Sequence, residues 1–246
     1  MTRLWWQSLL ALAAFVTLIG LGTWQLERKA WKEGLIEALA ERTNAQPVPL
    51  PPPERWATLD PASDEFRRVK FAATIAPDRE ALVYSSGSSV RPDVSGPGYW
   101  VFAPAELSGG GMVVVDRGFL PEGQQDPKTH VATHAPTAGQ LELVGALRWP
   151  EPRGLFAPAD DPAHNLYFVR DHLAMAQAKG WGKVAPFYID LETSTGPLPR
   201  AGRLTPTLRN EHLQYALTWF GLAAVLAAVF AFWLRSRWRD GRQGMG

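Results

Sequence analysis

The chain has 246 residues, no cysteine, and 25 basic against 24 acidic side chains, for a formal net charge of +1. Without cysteine it can form no disulfide, no thiolate metal site and no thioether-attached haem, and it can do no thiol redox work or carry copper through cysteine. A near-neutral balance with no basic patch interleaved with aromatics gives no sign of nucleic-acid binding.

Leu4 to Thr23 contains no formally charged residue. At 1.5 Å per residue, twenty helical residues span about 30 Å, the thickness of bilayer hydrocarbon. Arg3 and the run Leu9 to Leu21 also resemble the n- and h-regions of a signal peptide. Trp24 and Gln25 make a poor small-residue cleavage site, so the expectation is a retained transmembrane helix over residues 4–23. Residues 24–46 continue it as an amphipathic stalk, with Trp31, Leu35 and Leu39 at helical spacing. Pro47, Pro49, Pro51, Pro52 and Pro53 then predict a stiff extended spacer over residues 47–66.

Residues 67–209 read as a β-rich domain. Arg68 to Ile75 alternates, with Val69, Phe71, Ala73 and Ile75 on one face. Further short strands are expected at Glu80–Tyr84, Tyr99–Phe102, Met112–Val115, Gln140–Leu147, Leu166–Val169 and Pro186–Asp190, each bounded by Gly, Pro or Asp. Asp171 is placed to cap a short helix through Lys179 that Gly180 stops. Val90 to Gly98 and Leu120 to His134 read as long polar loops. No βαβ rhythm and no phosphate-binding glycine pattern occur.

A second charge-free run, Tyr215 to Leu234, lies within the predicted transmembrane helix 213–234, and Arg235, Arg237, Arg239 and Arg242 fall in the tail 235–246. The tails carry net +1 and +3 and the segment between the spans −3. Basic flanks mark the cytoplasmic side. Arg28, Lys29 and Lys32 favour the reverse orientation, but the C-terminal cluster is denser. The fold class expected is therefore membrane α+β: two transmembrane helices flanking a mostly antiparallel β extracytoplasmic domain, with both termini cytoplasmic.

Little in the middle suggests catalysis. His130 and His134 sit four apart in a predicted loop, and His164 lies in a Pro-bounded turn beside Asp160 and Asp161. His172 falls in the first turn of the short helix. No nucleophile elbow supports a triad, and the adjacent carboxylates are not opposed as a glycosidase requires. His212 is different. It stands at the outer end of the second span, with Tyr215, Ala216 and Trp219 on its face at +3, +4 and +7. An imidazole beside flat rings suits axial ligation of haem iron, although aromatic rings also form ordinary interface belts. Trp24 and Arg28 occupy the matching end of the first span, with Gln25 beside them. Arg28 suits a ligand propionate or, equally, a lipid phosphate.

These residues carry a resemblance. Gly22-Thr23-Trp24-Gln25-Leu26-Glu27-Arg28 resembles the Gly-x-Trp-Gln-x-x-Arg signature of the surfeit-locus family of cytochrome c oxidase assembly factors. Asn210 to Gly221 is similar to that family's C-terminal signature, and Tyr167 to Gly180 resembles its Arg-Asp helix segment. Val115-Asp116-Arg117-Gly118-Phe119 resembles its central Val-Asn-Arg-Gly-aromatic motif, departing at Asp116, where the family usually has Asn. The resemblance covers essentially the whole chain.

It implies a non-enzymatic role in maturing the haem a-containing subunit of a terminal oxidase. Haem a would be held transiently, with His212 as the iron ligand and Tyr215, Trp219, Trp24 and Arg28 around it. Gly22, Gln25, Arg117 and Gly118 would serve as structural motif residues. The implied partners are the oxidase catalytic subunit, a haem a synthesis enzyme and the lipid bilayer. The N-terminus lacks an Arg- and Ser-rich transit segment, so the expected setting is the bacterial inner membrane with the central domain periplasmic. The alternatives are a membrane-tethered scaffold for oxidase subunits that does not bind haem and, from another class, a membrane-anchored hydrolase.

Overall fold

Helix α1 runs unbroken from Thr2 to Asn44, so the first span and the stalk are one element. Nothing in that stretch removes a backbone donor, and Pro47 follows shortly after its end. The C-terminal helix covers His212–Gln243. The stretches Trp5–Asn44 and His212–Arg239 are long and apolar enough to cross a membrane, and only 6% of each apolar window is buried within the protein. A core helix of a soluble domain would be mostly covered, so both helices stand as candidate membrane spans.

The structure, a computed structural model, describes residues 2–76, 79–88, 91–124, 139–205 and 210–243. His130 and His134 lie outside these residues. The chain divides into two compact units, Met1–Ala38 with Leu208–Gly246 and Leu39–Thr207.

Among its described residues the second unit holds a short helix, α2 (Pro61–Asp64), and eight strands: β1 (Val48–Pro49), β2 (Arg68–Ile75), β3 (Ala81–Gly87), β4 (Ser95–Leu107), β5 (Met112–Pro121), β6 (Gln140–Arg148), β7 (Leu166–Tyr167) and β8 (Tyr188–Leu191). Five of them close a ring in the order β2–β6–β8–β5–β4, and β4 pairs back onto β2. All ring pairings are antiparallel except β5–β8. The thirteen-residue β4 makes closure possible. Its C-terminal residues Ala105–Leu107 pair with β2, while its N-terminal half carries β3, to which β7 adds in parallel.

Alternation along the strands sorts side chains to the two faces. Val69, Phe71, Ala73 and Ile75 of β2 meet Ala103, Ala105, Val113, Val115, Leu143, Leu147, Phe187, Ile189 and Leu191 in the barrel interior. On the outside, Val83, Trp100, Phe102, Val114 and Tyr188 pack under a short helix, α3 (His172–Ala178), through Met175 and Ala176. Asp171 caps this helix, accepting from the N–H groups of Leu173 and Ala174, each at 3.1 Å. Both faces of β5 are therefore covered, which is why it reads as a continuous apolar run rather than an alternating one.

Several expectations need correction. The stretch 47–66 is not a free spacer. Val48 and Pro49 pair with β2 as an edge strand, where proline's missing donor is tolerated. A 3-10 turn over Pro53–Thr58 buries Trp56 against Phe187, with its Nε1 donating to Pro51 O at 2.8 Å. Val90 to Gly98 is not all loop: β4 begins at Ser95, and Arg91 is buried, with its Nε donating to Asp93 at 2.7 Å. Pro104 does not end β4, nor does Val115 end β5.

The Val115–Phe119 motif forms a β-bulge. Trp100 faces Phe119 and Phe102 faces Asp116, so β5 holds one residue more than β4 between these pairs. The extra residue switches the side-chain parity. Val113 and Val115 point into the barrel, whereas Phe119 joins Val114 in the outer cluster. Gly118 sits at φ +118° within the bulge, and a Cβ there would overlap the Arg200 carbonyl. Gly118→Ala is therefore expected to destabilise the domain by about 3–5 kcal/mol, combining backbone strain with a backbone collision. Denaturant unfolding of the full chain in mild detergent measures this, and a loss under ~1 kcal/mol would show that the bulge can relax.

Candidate functional site

In the first unit α1 packs against the C-terminal helix, hereafter α4, by way of small residues. Gly22, Ala216 and Ala223 are buried, and a Cβ on Gly22 would overlap the Phe220 ring. Small residues at such a seam let helices come close, which brings the polar groups at the outer end within hydrogen-bonding reach. There His212 Nδ1 lies 2.7 Å from Gln25 Oε1. The amide oxygen can only accept, so Nδ1 carries the proton and Nε2 keeps its lone pair. No second hydrogen bond holds the imidazole among the described residues.

The other residues singled out from the sequence make no hydrogen bond to this pair among the described residues. Trp24 and Tyr215 are each 53% exposed, and Trp219 is half-buried. Among the described residues no ring contact joins them to His212. The Arg28 guanidinium lies 3.9 Å above the centre of the Trp31 ring. Lys29 pairs with Glu33 at 2.6 Å, but no carboxylate pairs with Arg28 among the described residues. The helical repeat reveals Trp24 and Arg28 on one face. It does not reveal that Gln25, one residue away, is the partner of His212, because a 187-residue separation leaves no local signal.

The other histidines among the described residues are His172 and His164. His172 is fully buried, burial pulls its pKa down to about 4, and its Nε2 bonds Ala185 O at 2.9 Å. His164 is exposed and sits 2.6 Å from Asp161 within a turn. No group of three or more potential metal-ligating side chains occurs among the described residues.

The sheet domain holds a second polar assembly, which sequence reading missed apart from its motif residues. Asp116 and Asp190 are register partners on β5 and β8, and both are buried. Arg170 lies 3.5 Å from each carboxylate and 4.2 Å over the Trp100 ring. Arg148 reaches Asp190 at 3.4 Å and Glu65 and Glu151 at 3.2 Å. Burial opposes the Arg170 charge, yet Asp190, Tyr188 and Asp116 outweigh it and raise its pKa. Burial, and then the facing Asp190, hold the Asp116 carboxyl well above the ordinary 3.8. Its Oδ1 accepts from Gly118 N at 2.8 Å and so fixes the bulge. Next to it Arg117, fully buried, pairs with Glu80, and burial lowers its pKa to about 10. Apart from Glu65 and Glu151 at its edge, these residues are buried and knit strands together, so the assembly is structural. The helix-end pair of His212 and Gln25 is the candidate site.

Comparison with known proteins agrees with the motifs. The model of the SURF1 family matches residues 12–224. The chain is 36% identical over 237 residues to Surfeit locus protein 1 of Homo sapiens, covering 87% of this chain and 73% of that one. It is 35% identical over 233 residues to Surfeit locus protein 1 of Takifugu rubripes, with 87% and 91% covered. A SURF1-like protein of Drosophila melanogaster is 34% identical over 230 residues, with 87% and 73% covered. With the family model covering the sheet domain and reaching into both long helices, this chain belongs to the surfeit-locus family of cytochrome c oxidase assembly factors.

Proposed function

We propose that this chain is a membrane-anchored, non-enzymatic factor that holds haem a through His212 before it enters the oxidase catalytic subunit. The supporting observation is the 2.7 Å bond from His212 Nδ1 to Gln25. Metal-ligating histidines regularly donate their second ring N–H to a fixed acceptor, which sets the tautomer and makes the other nitrogen more basic. Haem, when bound, would supply an iron for the His212 imidazole to ligate. The donor set fits such a group. Nε2 is left to ligate, Trp24 and Tyr215 offer exposed ring surface, and Arg28 offers a cation with directional donors. With net +1 and +3 tails and a −3 middle, both termini are read as cytoplasmic and the sheet domain as extracytoplasmic. The setting proposed is a bacterial inner membrane.

The scaffold reading draws on a different observation. Leu155 and Phe156 are each 98% exposed at the tip of a turn closed by Ala157 N to Gly154 O at 3.1 Å. Arg153 clips the base of the turn through Asp160 and the Pro158 carbonyl. Two large apolar side chains held out by a pinned turn suit a protein contact that needs no haem.

Co-expression with the haem a synthesis enzymes, purification in mild detergent and a pyridine haemochrome spectrum separate the two readings. Haem a is expected to co-purify in a fixed ratio to the chain. Colourless protein that still associates with oxidase subunits favours the scaffold.

A further inference from the structure

The stalk of α1 carries a cation whose arrangement has no structural use within the chain. Arg28 is exposed and, among the described residues, has no ion pair or hydrogen bond, while its neighbour Lys29 is neutralised by Glu33. Arg28 is nevertheless held: its Cζ lies 3.9 Å over the Trp31 ring. Stacking occupies the face of a guanidinium and leaves its edge N–H donors pointing outward, the presentation that grips a carboxylate through two parallel bonds. Trp31 is itself 55% exposed, so burial of the indole does not explain its place. Arg28 follows Gln25 by three residues, about 4.5 Å along the helix and nearly the same face. It therefore stands one turn above the bond that anchors His212.

We propose that Trp31 is a positioning residue that holds Arg28 as a receptor for a ligand carboxylate beside His212. This inference rests on the haem reading, since a porphyrin offers propionates close to its iron. It goes beyond that reading by assigning a role to Trp31 and by predicting discrimination between the free acid and its ester.

The test is a spectroscopic titration of the full chain in lipid nanodiscs with haemin and with haemin dimethyl ester, using empty discs as the blank. The ester keeps the iron and the ring but removes the charge. The wild type is expected to bind the free acid about tenfold more tightly, the worth of one charge-assisted contact. Trp31→Ala should reduce that preference to about twofold, with the Soret position unchanged because His212 still ligates. Trp31→Phe, which keeps a ring face, should retain most of the preference. A merely structural role for Trp31 would weaken both ligands alike. Equal binding of acid and ester by the wild type, or an undiminished preference in Trp31→Ala, overturns the proposal while leaving His212 ligation intact. Failure of the wild type to bind either form overturns the haem reading itself, and this proposal with it.

Discussion

His212→Ala is expected to abolish haem retention, or to shift and weaken the Soret band, while leaving the chain in the membrane. The imidazole is half-buried at the first turn of α4, and among the described residues its hydrogen bond goes to Gln25. Removing it takes away the proposed iron ligand but leaves the helix seam of Gly22, Ala216, Phe220 and Ala223 in place. Gln25→Ala should behave differently. The ligand remains, but its orientation and tautomer are no longer fixed. The expected result is a loss of about 10- to 100-fold in haem affinity with some histidine ligation retained, as seen when outer-shell partners of metal-bound histidines are removed. The measurement is haem titration of each variant in the same detergent, with membrane fractionation as the control for insertion. A His212→Ala variant with unchanged spectrum and occupancy would remove His212 as the ligand and strengthen the scaffold reading.

Arg170→Leu is expected to cost about 3–5 kcal/mol at neutral pH, because it strips the shared cation from two buried carboxylates that face each other in register. Arg148 remains near Asp190 but reaches Glu65 and Glu151 as well. Adding Asp116→Asn should recover about 1–3 kcal/mol, since an amide needs no counter-charge. The single variant Asp116→Asn carries its own pH signature. Burial and Asp190 raise the folded-state pKa of Asp116 above its ordinary 3.8, so the native chain holds that proton more tightly than the unfolded chain. This contribution to stability is fully present below about 3.8 and is lost as pH rises through the folded value. The wild type should therefore lose stability over that interval, and Asp116→Asn should lose less. Denaturant midpoints of the full chain from pH 4 to pH 8 measure the difference, and identical pH slopes would show that Asp116 is ionised throughout.

The sequence by itself determined the elements whose causes are local. Charge-free apolar runs of about twenty residues favour helix, which satisfies its own backbone groups, so both long helices were legible. Alternation in RVKFAATI set the bounds of β2, and Asp171 with Gly180 set those of α3, because period, capping and positive φ act within a few residues. The motif around Gly22 and the one around His212 could be picked out as a candidate site on residue type, spacing and family resemblance. Only the tertiary structure decided what depends on residues far apart in the chain. Closure of the ring follows from β4 pairing with both β3 and β2, which no window along the chain contains. Pro49 and Trp56 were misread because a proline-rich segment is extended whether it floats free or lies on a sheet edge, and only burial against Phe187 distinguishes the two. Arg117 and Asp116, ordinary surface types by composition, are buried because a bulge redirects β5 and distant Glu80 and Arg170 supply their counter-charges. Gln25 became the partner of His212 by the same logic: its amide is an ordinary interface residue until the seam at Gly22 brings the second helix within hydrogen-bonding distance.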